Sequence, residues 1–125
     1  MLRAFHINVV RKNKIMLYDV NVTKSAEQDI LDAAIYISQR LFNNAAANRL
    51  LDNTDLAATS LSQNPMIRPL VYDDFLASKG IRSLSVGNYL MLYVVYEETN
   101  KVDVIRFIHS RRDWVSILTN DINDN

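Results

Sequence analysis

Several features that would narrow the function of this chain are absent from its sequence. The 125 residues include no cysteine, which excludes a disulfide framework and thiolate chemistry, and the two separate histidines argue against a zinc site. The 14 basic and 14 acidic residues cancel, so no global charge holds the chain on nucleic acid. No apolar run is long enough to span a membrane. The length suits one domain with one hydrophobic core.

The start of the chain differs from the rest. Residues 1–15 mix basic and apolar side chains but have neither the apolar length nor the small-residue cleavage site of a signal peptide. Met16 opens a cleaner strand pattern. We therefore predict that residues 1–15 are an extension ahead of an internal start, that residues 16–120 form a single domain, and that residues 121–125 are a tail.

Apolar residues at helical spacing predict two consecutive helices, at residues 23–43 and 45–61. A capping box from Ser25 to Gln28 marks the start of the first helix, and Pro65 stops the second. The alanine-rich stripe of the second helix suits close packing of the two as an antiparallel hairpin. The predicted buried positions are Ala26, Ile30, Ala33, Ile37 and Leu41 in the first helix, and Ala47, Leu50, Leu51, Thr54, Ala58 and Leu61 in the second.

Alternating apolar and polar residues predict a mostly antiparallel sheet of four strands. The strands cover residues 17–22, 81–86, 89–97 and 102–108. Gly87-Asn88 and Thr99-Asn100 are the predicted tight turns between the last three strands. Residues 62–80 hold both prolines and form an irregular connection, and a short helix at residues 111–120 closes the chain. The fold class is therefore α+β, in the order β-α-α-β-β-β-α, with the helical hairpin packed on the sheet.

The predicted turns fix the register of the sheet, and the register decides which side chains share a face. Arg82 then lies opposite Tyr93, and Met91 lies opposite Arg106. One face carries Arg82, Leu84, Met91, Tyr93, Val104 and Arg106, and the other carries Ile81, Leu90, Leu92, Val94, Ile105 and Phe107. We expect the helices to cover the second face. The first face would then mix arginine with apolar side chains, which is typical of a protein interface; the alternative is a half-solvated sheet face without a function.

The segment "HSRRDW", residues 109–114, places basic residues where the last strand ends. His109 is a candidate general base near neutral pH, and Arg111 and Arg112 are candidates to stabilise the developing charge of a phosphate. The structural alternative is a histidine bonded at the end of a strand, with Asp113 either paired with an arginine or capping the closing helix. No nucleophilic triad and no Gly-rich phosphate loop is present in the sequence.

The order of elements and three stretches of sequence resemble the RelE/ParE superfamily of toxins from bacterial type II toxin–antitoxin modules. The stretches are "SAEQDILDAAIYI", "GIRSLSVGNYLMLYVVYEE" and "VDVIRFIHSRRDW". The resemblance covers residues 17–118 and implies a small cytoplasmic toxin that inhibits growth, stabilises plasmids and needs no cofactor, metal or membrane. It also implies an oligomeric complex with a cognate antitoxin. The residues expected to bind the antitoxin or the target are Arg82, Leu84, Met91, Tyr93, Arg106 and Trp114.

Members of this superfamily differ in their targets. RelE-like members cleave messenger RNA on the ribosome without metal, through a set of basic residues and often a C-terminal tyrosine. In this chain Arg111 matches the arginine after the fourth strand. The other positions depart from the pattern. Leu90 stands in place of the third-strand arginine, and Ile81 and Ser83 stand in place of the second-strand lysines, with only Arg82 between them. Either Trp114 or no residue takes the place of the tyrosine.

ParE-like members instead inhibit DNA gyrase, and they keep an apolar residue after the "GNY" tyrosine and an "H-x-R-R-D" segment after the fourth strand. Both features are present in this chain. The resemblance therefore favours a ParE-like gyrase inhibitor. The alternative is a ribosome-dependent mRNA endoribonuclease with a rearranged site, whose candidate catalytic residues are Arg82, Arg106, His109, Arg111 and Arg112.

Overall fold

The computed structural model describes residues 17–124. The predicted extension at residues 1–15 and the internal start at Met16 lie outside the described residues. Four strands and four α-helices follow one another in the order β1, α1, α2, α3, β2, β3, β4 and α4. Their bounds are Asp19–Val22, Lys24–Ile35, Asn44–Gln63, Asp74–Ser78, Ile81–Val86, Tyr89–Tyr96, Lys101–His109 and Trp114–Asn123. The predicted α+β order is confirmed, with α3 as an addition.

Helices α1 and α2 form the predicted hairpin, and their predicted stripes are largely buried. The start of α1 differs from the prediction, because the hydroxyl of Thr23 accepts the N–H of Ala26 as the N-cap; the Ser25–Gln28 capping box was wrong. Helix α2 begins after Asn43, whose side chain accepts the N–H of Ala46, and ends just before Pro65, as predicted.

The connection at residues 62–80 was predicted to be irregular, but it contains a single turn of 3₁₀-helix at Pro65–Ile67 and the short helix α3. Asp73 caps α3 by accepting the N–H of Leu76, and the Leu76 side chain is fully buried. The prediction was wrong here because the acidic run before Phe75 resembles a solvated loop, whereas Asp73 is a helix cap.

The four strands form one sheet in the order β1-β4-β3-β2, in which β1 is parallel to β4 and the other neighbours are antiparallel. Gly87 has a φ of +58°, which a two-residue hairpin turn requires and glycine adopts without strain. The predicted pairs between β2 and β3 are confirmed, including Arg82 with Tyr93.

A β-bulge in β4 changes the register between β3 and β4. Tyr93 pairs with Val104 as predicted, but Leu92 pairs with Arg106, so Ile105 is an extra residue without a partner on β3. Met91 therefore lies opposite Phe107, and the predicted pairing of Met91 with Arg106 was wrong. Because side chains alternate along a strand, the extra residue moves every later β4 side chain to the other face.

Both faces of the sheet are covered, and the predicted assignment of the faces was wrong. The helical hairpin packs on the face that carries Leu84, Met91, Tyr93, Val104 and Phe107. The opposite face carries Ile81, Leu92 and Ile108, and it is covered by Val71, by Leu76 of α3, and by Trp114 and Leu118 of α4. The mixed face with Arg82, predicted to be open for a partner, is therefore an internal layer.

Helix α4 begins one residue after Asp113, whose carboxylate accepts the N–H of Ser116, and continues to Asn123. Residues 121–123, predicted to be part of a tail, are therefore helical. Among residues 17–124, no helix has the length and apolar content needed to cross a membrane.

The turn that joins α1 to α2 has an unusual backbone. A π-helical turn at Tyr36–Arg40 ends α1, with the N–H of Leu41 bonded to the carbonyl of Tyr36. This turn rotates Leu41 out of the predicted stripe, so that 55% of the residue is exposed. The next residue, Phe42, has a φ of +52° and is 89% exposed. A bulky residue in the left-handed region is strained, and burial of its side chain does not compensate here.

We expect Phe42→Gly to raise the free energy of unfolding by about 0.5–1 kcal/mol, because relief of a left-handed strain of about 1–2 kcal/mol exceeds the added entropy of glycine in the unfolded chain. Denaturant unfolding measures the change. Phe42→Ala is the matched control, since alanine keeps the unfavourable φ. A Phe42→Gly protein less stable than the wild type would contradict this account of the turn.

Candidate functional site

The basic segment at the end of β4 is a hydrogen-bonded turn. The Nδ1 atom of His109 accepts the N–H of Arg111 at 3.1 Å, and the carbonyl of His109 accepts the N–H of Arg112 at 3.0 Å. Asp113 does not pair with an arginine side chain in this turn; it caps α4, and hydrogen bonds from the side chain and backbone of Ser116 lower the pKa of its carboxyl. The turn therefore fixes His109 and leaves Arg111 and Arg112 exposed.

A cleft of about 310 Å³ lies between α1 and the ends of β3 and β4. Its polar lining includes Tyr36, Tyr89, His109 and Arg112. The ring of Tyr89 stacks on Phe107 with 5.0 Å between centroids and meets the edge of His109 at 5.1 Å. Burial, and secondarily the nearby Tyr36 phenol, raise the pKa of Tyr89. The cleft thus brings two phenols, an imidazole and a guanidinium to one place, together with the carboxylates of Asp29 and Asp32.

The two tyrosines of this cleft were missed from the sequence. Tyr89 pairs with His109 across the hairpin, and a correct register at the far end of β4 would have identified it. Tyr36 lies at the end of α1, where the π-helical turn departs from helical spacing, so no periodic pattern points to it.

Arg106 is held inside the fold by two carboxylates. Its Nε donates to Asp29 at 2.7 Å, and its Nη1 donates to Asp121 of α4 at 2.8 Å. Asp29 also accepts the backbone N–H of Phe107 at 3.0 Å. These hydrogen bonds, led by the one that Arg106 donates to Asp29, raise the pKa of the guanidinium further above its usual range. Arg106 therefore joins α1, β4 and α4 and is not available to a phosphate.

Arg82 lies in a different part of the sheet. Its guanidinium donates to the carbonyl of Arg68 in the connection before α3. Arg82 on β2 pairs with Tyr93 of β3, whereas His109 on β4 pairs with Tyr89 of β3. Tyr93 and Tyr89 are four residues apart. Four residues of a strand span about 13 Å, and Arg82 is also two strands away from β4. The five predicted catalytic residues are thus divided among three places: Arg82, Arg106, and the turn with His109, Arg111 and Arg112.

Three residues expected to contact an antitoxin or a target are buried. Met91 and Tyr93 are completely buried beneath the helical hairpin, and Trp114 is buried beside α3. The Tyr93 hydroxyl donates to the carbonyl of Pro65 at 2.7 Å, and burial raises the pKa of Tyr93 despite the nearby Arg82 and Arg68. Leu84 is half-buried in the same core. The prediction that these side chains form an exposed interface was wrong because both faces of the sheet carry helices.

The charge of the chain is unevenly distributed. Four of the 14 basic residues and none of the 14 acidic residues lie in residues 1–16, so residues 17–125 carry 10 basic and 14 acidic residues. Among residues 17–124, no cluster of His, Cys, Asp and Glu is suited to hold a metal ion. Residues 17–125 are therefore acidic overall, which is unfavourable for docking of this part of the chain on the phosphates of RNA or DNA.

Comparison with known proteins identifies a family and structurally similar chains. The family model described as "ParE toxin of type II toxin-antitoxin system, parDE" matches residues 20–114. Among solved structures, a chain of the toxin–antitoxin complex RelBE2 from Mycobacterium tuberculosis is similar with a TM-score of 0.51 and 23% identity, over 78% of this chain and 97% of that chain. At this identity the structural likeness concerns the fold alone. No curated protein matches.

We expect Asp29→Ala to lower the free energy of unfolding by about 2–3 kcal/mol, because it leaves a largely buried guanidinium and a backbone N–H of β4 without their shared acceptor. The matched control is Asp32→Ala on the next turn of α1, where the carboxylate is exposed and bonds to Gln28. That change should be within about 0.5 kcal/mol of the wild type. Equal destabilisation of the two variants in denaturant unfolding would contradict the role of Asp29.

Tyr93→Phe should cost about 1 kcal/mol at neutral pH through loss of the buried hydrogen bond to Pro65. Burial raises the pKa of Tyr93 in the folded state. The stabilisation that the protonated hydroxyl gives to the fold is therefore fully present below the unfolded-state pKa of about 10, and it is lost as the pH rises through the folded-state pKa. The wild type should therefore lose stability above about pH 10 more steeply than Tyr93→Phe. Unfolding curves at several alkaline pH values measure this difference, with the exposed Tyr72→Phe as control, and parallel pH profiles for Tyr93→Phe and the wild type would refute it.

Proposed function

Because this chain belongs to the ParE toxin family of type II toxin–antitoxin systems, we propose that it arrests growth by binding and inhibiting DNA gyrase. The family membership makes it the toxin of a toxin–antitoxin pair. Inhibition by binding requires an exposed surface that fits the target, and it does not require a set of catalytic groups.

The position of Arg106 supports inhibition by binding. Metal-free cleavage of RNA needs one group to deprotonate the 2′-hydroxyl, another to stabilise the phosphate and a third to protonate the leaving oxygen. Arg106 is one of the candidate cations of such a site, yet Asp29 and Asp121 both bind its guanidinium. Arg82 is too distant from His109 to complete the set. The remaining groups do not form the site of an efficient nuclease.

The excess of acidic residues supports the same proposal. A protein that docks on the ribosome meets a dense array of phosphates, and its affinity rises with each cation that it places against them. Residues 17–125 have 14 acidic and 10 basic residues, so this part of the chain has no excess of cations to place against nucleic acid. A protein target sets no such requirement.

The family membership also supports three associated proposals. A cognate antitoxin binds the toxin and neutralises it, as implied for a member of a toxin–antitoxin pair, and the two form an oligomeric complex. The pair contributes to plasmid stabilization by inhibiting the growth of cells that lose the antitoxin. Both gyrase and the antitoxin would be met in the cytoplasm, which is where we expect the toxin to act.

The cleft beside His109 favours a second candidate function, a ribosome-dependent mRNA endoribonuclease. His109 and Arg112 line the same cleft of about 310 Å³ with Tyr36 and Tyr89, so a base, a cation and two aromatic rings are together. Aromatic rings stack on unpaired bases, and arginine binds phosphate. In this candidate, His109 and Arg112 carry the reaction and Arg82 and Arg106 do not take part.

Purified toxin should inhibit the supercoiling of a relaxed plasmid by gyrase, with inhibition that rises with toxin concentration, while mRNA in a reconstituted translation reaction stays intact. His109→Ala should inhibit gyrase within about twofold of the wild type, because the imidazole has no catalytic task in this proposal. The antitoxin should restore supercoiling. Unaffected supercoiling at saturating toxin, together with mRNA cleavage that His109→Ala abolishes, would replace the proposal by the nuclease.

A further inference from the structure

The end of the helical hairpin presents a group of exposed apolar side chains that the core does not use. This group, called the hairpin tip below, consists of Ile35, Tyr36, Leu41 and Phe42. Their exposed fractions are 43%, 51%, 55% and 89%. Exposed apolar side chains that are scattered singly need no explanation, but four within eight residues form a patch, and such patches mark interaction sites.

The backbone of the hairpin tip is built to expose these side chains. The π-helical turn at Tyr36–Arg40 adds a residue to the last turn of α1 and carries Leu41 out of the buried stripe. Phe42 then adopts a φ of +52°, which directs its ring into solvent at a cost in strain. Strained residues of this kind cluster at functional sites, and glycine or asparagine would adopt the same φ at a lower cost.

The hairpin tip has a groove beside it. A cavity of about 340 Å³ lies between the end of α1 and the start of α2, with Ile35, Ala47 and Leu51 as its apolar lining and Ser38 and Asn48 among its polar lining. On the other side, Tyr36 lines the cleft that contains His109 and Arg112. The exposed surface is therefore continuous from the groove, across the tip, to the turn after β4.

The charge of residues 33–51, which include the hairpin tip, is opposite to that of residues 17–125 as a whole. Residues 33–51 contain Arg40 and Arg49 and no acidic residue, whereas residues 17–125 contain 14 acidic and 10 basic residues. Arg40 and Arg49 are both exposed. Arg112 lines the cleft beside Tyr36, but Asp29 and Asp32 line the same cleft, so the basic surface free of carboxylates is that of Arg40 and Arg49. An acidic partner with an apolar pocket or anchor is complementary to this surface.

We propose that the hairpin tip is the surface with which the toxin binds its protein target, by inserting Phe42 and Leu41 into an apolar pocket bordered by carboxylates. This inference rests on the proposed inhibition of gyrase and names the surface that carries it out. A projecting aromatic side chain suits a concave site on a larger protein, and an aromatic ring flanked by arginines is the composition of an interface hot spot. The antitoxin, a smaller partner expected to wrap the toxin, is the competing occupant.

Supercoiling assays with purified gyrase test the hairpin tip directly. Phe42→Gly and Leu41→Ala should each raise the toxin concentration for half-inhibition at least tenfold, because each removes a central apolar contact. Leu56→Ala is the matched control, since Leu56 is an exposed leucine of α2, at 68%, outside the tip. This control should stay within twofold of the wild type. Because Phe42→Gly is expected to be at least as stable as the wild type, its loss of potency cannot be attributed to unfolding.

Reversing the charges of Arg40 and Arg49 tests independently whether the partner surface is acidic. The double variant Arg40→Glu and Arg49→Glu should also raise the concentration for half-inhibition at least tenfold at low salt, and the difference from the wild type should shrink as salt screens the charges. A salt-independent difference, or none, would argue against an acidic partner surface.

The outcomes separate the inference from the function on which it rests. If wild-type toxin inhibits gyrase and the tip variants match it, the inference is wrong and the proposed function stands. If wild-type toxin does not inhibit gyrase, both are wrong. If the tip variants still inhibit gyrase but are no longer neutralised by the purified antitoxin, the hairpin tip is the antitoxin's site and the inference is overturned.

Discussion

The carboxylate of Asp29 binds two groups of β4 at once, the guanidinium of Arg106 and the backbone N–H of Phe107. β1 pairs with β4 only as far as Val104, so the backbone groups along the rest of that edge of β4 need other hydrogen-bond partners. Helix α1 and its N-cap supply these partners. The N–H of Thr23 donates to the carbonyl of Val104, and its hydroxyl donates to the carbonyl of Ile105. The carboxylate of Asp29 accepts the N–H of Phe107. The same Arg106 reaches Asp121, so the bulge in β4 joins the two helical layers across the sheet.

Much of the architecture follows from local rules. Spacing alone predicts the helical hairpin, and the Gly87-Asn88 turn predicts the β2–β3 register, because these depend on residues close in sequence. The bulge at Ile105 does not follow from local rules, since the sequence "VDVIRFIH" alternates well enough to suggest a regular strand. The tertiary bond between Arg106 and Asp29 stabilises the bulge, and the two are far apart in the chain. The missed residue put Arg106 and Phe107 on the wrong faces. The predicted interface of Met91 and Tyr93 was wrong for a separate reason, because the helical hairpin covers their face.

The candidate site was predictable in part. The turn after β4 was identified from its basic residues, and its cleft adds Tyr36 and Tyr89, which no spacing rule marks. Arg82 and Arg106 belong to the framework of the fold. The exposed apolar side chains include the strained Phe42 with its neighbours at the hairpin tip, and a second group at residues 66–75, namely Met66, Ile67, Leu70, Tyr72 and Phe75. Exposed apolar surface of this kind is better suited to bind a protein than to process RNA.

Inhibition of DNA gyrase is the central claim, and it predicts which synthesis stops first in a living cell. Expression of the chain can be induced in a bacterial host while the incorporation of labelled thymidine and labelled amino acids is followed over the first minutes. The account predicts a fall in thymidine incorporation while amino-acid incorporation continues. A prompt fall in amino-acid incorporation with DNA synthesis unaffected would contradict it and assign the toxin to the ribosome.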